Sequence, residues 1–147
     1  MDTKKNKQLI MQCYQLYKDK NIKGLLNLFS DDIEWISNDS DDIPFAGSFH
    51  GKDQVAQFFT KLEQAQDVIK FEPQDFIAEG DKVVATGISS WHVKSTGLTY
   101  DNPWTQIFTI RDGKVARLQQ YNHTAAAEAA YRPMREAGEA KGAPMRH

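Results

Sequence analysis

The stretch YDNPWTQIF, Tyr100 to Phe108, gathers side chains that could hold and orient a small molecule. Read as a strand with period two, it puts Tyr100, Asn102, Trp104, Gln106, Phe108 and Ile110 on one face. A plain core face would be aliphatic, and a wetted face would carry Lys, Glu and Thr. Aromatics interleaved with amides suit a pocket, where rings supply area and a few polar groups fix orientation. Tyr14, in the first amphipathic segment, carries a phenol that can donate to an oxygen gaining negative charge, or simply fill core with its ring. Tyr17, one turn on, is a second residue of the same kind. Trp35 suits a pocket wall and plain core equally. His50, just before Gly51, can transfer protons near neutral pH, or be a loop histidine at the rim. Trp91 and His92 face opposite ways on a regular strand, and Trp91 is assigned inward. Leu118, Gln120 and Asn122 share a face that we also assign to the cavity, while His123 reads as a cap at a strand–helix junction.

Other chemistries lack their residues. No His, Cys, Asp and Glu set has metal-ligand spacing, and there is no nucleophile elbow, phosphate loop or dinucleotide fingerprint. No metal and no cofactor is therefore expected. The chain has 147 residues, one domain's worth, with a formal net charge of -2 and no basic stripe, so no nucleic-acid partner is expected. No window is apolar enough for a membrane span. The opening MDTKKNKQLIMQ lacks an apolar leader core, and Cys13 is the single cysteine, read as a small buried hydrophobe; a cytoplasmic protein is expected. Asp31, Asp32, Glu34, Asp39, Asp41 and Asp42 crowd one stretch without a Lys or Arg, which reads as a solvated turn or an acidic pocket mouth.

Positioning these groups falls to elements whose order is legible. Residues 4–20 and 22–29 have helical periodicity, residues 33–37 a short strand, and 38–47 a polar loop. A helix over 53–66 carries Val55, Phe58, Phe59 and Leu62 on one side. After Asp67 the period changes to two, giving strands over 68–78, 82–94, 98–110 and 114–122, separated by Glu79-Gly80-Asp81, Ser95-Thr96-Gly97 and Arg111-Asp112-Gly113. Helices first and a meander second give an α+β domain with a strongly curved antiparallel sheet packed on N-terminal helices. Val83, Ala85, Thr105, Ile107 and Thr109 are assigned to the outer face of that sheet, where they suggest a homodimer. The domain is placed at 1–130, and 131–147 is read as a partly helical or disordered tail in which Tyr131 and Met134 cover the cavity's open end.

Three segments carry a family resemblance: GLLNLFSDDIEW, FHGKDQVAQFF, and WTQIFTIRDGKVARLQQYNHT. Over about residues 5–130 the chain resembles the SnoaL-like branch of the NTF2-like superfamily, related to ketosteroid isomerases and polyketide cyclases. The resemblance implies a cone-shaped α+β barrel with a deep apolar pocket, often dimeric. It also implies roles. The isomerases' oxyanion tyrosine falls on Tyr14, and their second oxyanion-hole acid falls on Gln106, an amide here. Their base falls near Ser37 or Asn38, with Asp39 the nearest acid. Two expectations follow. One is a cofactor-independent isomerase or cyclase acting on a carbonyl compound, with proton transfer by Asp39 or His50. The other is a protein that binds a small, mostly apolar molecule without transforming it. An acid or histidine beside Tyr14 and Gln106 distinguishes the first from the second.

Overall fold

A computed structural model describes residues 2–37 and 43–140, the backbone alone for 133–140. Helix α1 (Thr3–Lys18) starts where the Asp2 carboxylate accepts from the Lys4 and Lys5 amides, each at 3.1 Å. Its buried stripe is Ile10, Cys13 and Tyr14. Helix α2 (Ile22–Asn27) is capped by the Asn21 side chain, which accepts from the Gly24 amide at 2.9 Å. Then follow β1 (Phe29–Ser37), β2 (Ser48–His50), α3 (Gly51–Ala65), β3 (Gln66–Glu79), β4 (Lys82–Val93), β5 (Thr99–Arg111), β6 (Lys114–Tyr121) and α4 (Thr124–Ala140).

The strands form one sheet in the order β2-β1-β6-β5-β4-β3. It is strongly curved but not closed, with β2 and β3 at its edges, so the expected cone is an open one. The β3–β4–β5–β6 meander is antiparallel throughout, as its turn residues demand. At the β5–β6 turn Asp112 and Gly113 both have positive φ, the conformation a tight hairpin requires and Asp-Gly supplies.

Three features depart from the sequence reading. β1 starts at Phe29 rather than 33, because Phe29 and Ile33 both reach the core while Asp31 and Asp32 between them stay exposed. Local propensity favoured a break there; burial on either side overrides it. β1 also runs parallel to β6, a pairing of the first strand with the last across β2, α3 and the rest of the meander. The short β2, within a stretch too brief to show periodicity, pairs antiparallel with β1 through Trp35↔Phe49.

The assignment of Val83 and Ala85 to the outer face is wrong. Both are fully buried and stand opposite Phe108 and Gln106, so they share the inner face with them. The outer row across the sheet is Ile77, Val84, Ile107, Gln119 and Ile36, each paired with the next. Helices α1 and α3 cover the inner face, and α4 packs against β5 with Ala127, Ala130 and Tyr131 buried. Tyr131 is thus part of the core, 2% exposed.

Candidate functional site: an amide-lined aromatic cavity

The cavity depends on the parity of β5. Its ladder to β4 runs without a slip from Lys82↔Thr109 to His92↔Thr99. Pro103 therefore causes no bulge; it pairs with Ile88 and lies past the end of the β6 ladder at Thr105↔Tyr121, where no β6 amide partner is lost. Asn102, Trp104, Gln106 and Phe108 all point inward and are buried. The space between this face and the helices holds about 80 Å³ of water-accessible volume. That is room for roughly six waters, or one compact molecule of a few fused rings.

The walls are mostly rings. Phe71 and Trp104 stack at 5.3 Å with 10° between their planes. Tyr14 meets Trp104, Phe108 and Phe71 at ring distances of 5.6, 5.9 and 5.8 Å. Trp35 packs on Phe58 and Phe59 of α3 at 4.8 and 5.3 Å. A side chain at Gly87 would collide with the Trp104 indole and the Glu72 carbonyl, so this glycine lets the indole lie flat over β4.

Two polar chains cross the rings. In the first, the Tyr14 hydroxyl donates to Gln106 Oε1 at 2.5 Å, and Gln106 Nε2 donates to Gln120 Oε1 at 2.9 Å. In the second, Trp91 Nε1 donates to Ser89 Oγ at 2.8 Å, Asn102 Nδ2 donates to Asn122 Oδ1 at 2.9 Å, and Asn102 Oδ1 accepts from the His123 amide at 2.7 Å. Near α4, Gln66 Oε1 accepts from both Tyr100 and Tyr131 hydroxyls, at 2.9 and 2.7 Å. Burial pushes the phenols of Tyr14, Tyr17 and Tyr131 above their usual range and the Cys13 thiol up to about 12. Each stays protonated at neutral pH, and Tyr14 serves as a neutral donor.

Tyr14, Gln106, Tyr17, Trp35, Trp91, Asn102, Trp104, Phe108, Leu118, Gln120 and Asn122 all border this one cavity. His50 does not: β2 turns Phe49 inward, so His50 is exposed at the start of α3, its backbone amide donating to Gln54 Oε1 at 2.7 Å. Asp39 lies outside the described residues. Among the described lining residues there is no Asp, Glu, His, Lys or Arg. Sequence reading missed Gln66, Phe71 and Ser89, which also border the cavity. Ser89 had a signal, since it shares strand parity with Trp91. Gln66 and Phe71 had none, because Gln66 stands at a helix–strand junction and bulges break the alternation of β3.

Helices laid across the concave face of a curved sheet, around an aromatic cavity, describe the NTF2-like fold. The family model of the SnoaL-like domain matches residues 10–118, and the chain belongs to that family. An NTF2-like protein from Burkholderia xenovorans LB400 is similar at 30% identity and TM-score 0.81, covering 89% of this chain and 98% of that one. One from Burkholderia thailandensis E264 matches at 21% identity and TM-score 0.78, over 88% and 98% of the two chains. TerC, co-crystallised with polyporic acid, matches at 24% identity and TM-score 0.78, over 87% and 98%. No curated protein matches the chain.

Proposed function

We propose that this protein binds a small, mostly apolar, uncharged molecule in the cavity beneath β5. The observation that carries this reading is the make-up of the wall. Its rings give area, its amides give direction, and no described lining residue bears a formal charge. An ionised ligand would enter such a site without a counter-charge, at a cost of several kcal/mol or more. Amides recognise well but transfer protons poorly, which favours holding over transforming. The test is a melting-temperature screen of small cyclic ketones and arenes against wild type and Gln106→Leu. Ligand-dependent stabilisation that Gln106→Leu alters supports the reading; no stabilisation by any of them sinks it.

A catalytic reading has one specific observation in its favour, the bond of Tyr14 to Gln106 inside the cavity. In that reading Tyr14 and Gln106 hold a developing enolate, and Asp39 moves the proton. Solvent-deuterium exchange next to the carbonyl of the best-bound ketone measures it. Exchange lost in Tyr14→Phe and Asp39→Asn would establish an isomerase or cyclase, and binding without exchange leaves the protein a binder.

The same reading includes a homodimer across the outer sheet face, supported by the aliphatic row Ile77, Val84 and Ile107. Ile77 is 65% exposed in the single chain, and Val84 and Ile107 beside it are half-buried.

A further inference from the structure

Helix α4 differs from the other helices in how it is held. It bridges the segment before β2 and the start of β3. Tyr131 meets the Phe45 ring at 6.2 Å on one side and donates to Gln66 Oε1 at 2.7 Å on the other. Ala127, one turn earlier, is itself part of the cavity wall, as are Phe45 and Gln66. The helix therefore lies over one end of the cavity in an open sheet whose margins are β2 and β3.

Its hold on the body is light. Helix α3 buries Val55, Phe58 and Phe59, whereas the buried side chains among the described residues of α4 are two alanines and one tyrosine. Two methyl groups remove little apolar area from water. Hydrogen bonds supply the rest. The Thr96 hydroxyl donates to the Ala130 carbonyl at 2.9 Å, and the Tyr131 hydroxyl donates to Gln66. Both bonds grip the same turn of the helix, one from the β4–β5 turn and one from β3, and together they form a latch.

A pivot lies at the other end. β6 ends at Tyr121 and α4 begins at Thr124, so Asn122 and His123 belong to neither. The His123 amide is held by Asn102 Oδ1 at 2.7 Å, and its carbonyl accepts from the Ala126 and Ala127 amides of α4. The β6 ladder to β5 finishes at Thr105↔Tyr121, before this point. Swinging α4 about residues 122–123 thus breaks the latch and leaves the sheet paired. A terminal segment with few buried apolar contacts opens at lower free energy than the fold as a whole. Gln66 also suits a latch that must release. Its Oε1 accepts from the Tyr100 hydroxyl at 2.9 Å as well, so it keeps a partner when Tyr131 leaves.

Resting on the binding reading above, we infer that α4 is the gate of the cavity: it turns on Asn122–His123, is latched through Tyr131 on Gln66 and Thr96 on Ala130, and admits ligand only when unlatched. Ligand then enters and leaves through a minor open form and the gate closes again over it. Both rates scale with the open fraction, and the affinity does not.

The probe is 1-aminoanthracene, a neutral three-ring fluorophore that brightens in apolar surroundings. Stopped-flow fluorescence on the full chain gives its entry and exit rates. Tyr131→Phe keeps the ring against Phe45 and removes the latch hydroxyl. It should raise both rates about threefold to tenfold, the range of one net hydrogen bond, with the dissociation constant within about twofold. Thr96→Val should act in the same direction. Hydrogen exchange read by mass spectrometry follows the gate without a ligand. Residues 125–132 should exchange faster than β4 and β5 in wild type, and about threefold to tenfold faster again in Tyr131→Phe. A Tyr131 that only fills core would lower the melting temperature and leave both rates as they are. Unchanged rates in Tyr131→Phe, or α4 amides as protected as those of β5, overturn the gate while the binding reading survives. If the probe is not taken up, the binding reading fails for a three-ring arene, and the exchange data alone decide the gate.

Discussion

The Tyr14 hydroxyl and the Gln106 amide fix each other. Tyr14 is held by four ring neighbours, so its hydroxyl has little choice of position, and Gln106 is oriented at both ends of its amide. Gln106→Leu leaves the Tyr14 donor and the Gln120 acceptor without their partners. We expect it to lower stability by about 1–3 kcal/mol in urea unfolding. An unchanged midpoint would mean that water replaces the amide without loss. Tyr14→Phe orphans only one oxygen and is expected to cost about 1 kcal/mol. Burial of the thiol and phenols also sets the alkaline limit. Cys13 ionises from its usual 9.0 in the unfolded chain but at about 12 in the folded one. The unfolded state therefore sheds a proton first, and stability present below pH 9 is lost as pH rises toward 12. Tyr14, Tyr17 and Tyr131 add losses of the same sign above their usual 10.0. Melting temperature should fall steadily through this range, and less steeply in Cys13→Ala. A flat profile would contradict the burial of these groups.

Among the elements, β4 and β5 do most to shape the cavity. Their unslipped register carries the alternation past Pro103 and gives the wall its sequence of amide and ring. The clearest weak point is Gly87, a glycine inside a strand with an indole lying over it. Gly87→Ala must push Trp104 off β4, because the Glu72 carbonyl on the adjacent strand leaves the methyl no other way out. We expect a loss of about 1–3 kcal/mol and a shifted Trp104 indole signal. A crystal structure of the variant with Trp104 unmoved would refute this account. Helix α4 is the counterweight at the far end. Its alanines supply closeness rather than area, and Tyr131 ties it to Gln66 at the start of β3. Thr96 adds a bond from the β4–β5 turn to the Ala130 carbonyl at 2.9 Å.

At the scale of the molecule, the two sheet faces divide the work: the inner face makes the cavity, and the outer face presents the Ile77–Val84–Ile107 row. If that row is the dimer contact, Ile107→Lys should convert a species of twice 16.7 kDa into one of 16.7 kDa in sedimentation, with ligand affinity retained. A monomeric wild type at tens of micromolar would remove the dimer.

Several features can be read along the chain: the switch of period after Asp67, the hairpin turns, the family segments, and the inward row of β5. These were legible because each is written in local spacing, and a single ladder without a bulge preserves it. Ser89 follows from the same parity. The rest follows from contacts between distant segments. Which sheet face is inner depends on where the helices lie, and that reversed Val83 and Ala85. The parallel β1–β6 pairing and the three-residue β2 are contacts between distant segments, with no period of their own. His50 left the cavity because the parity of so short a strand cannot be read without its partner. The hydrogen-bond network of the cavity is the furthest from the sequence. It depends on which amide oxygen meets which hydrogen across the sheet, and side-chain type alone carries no record of that pairing.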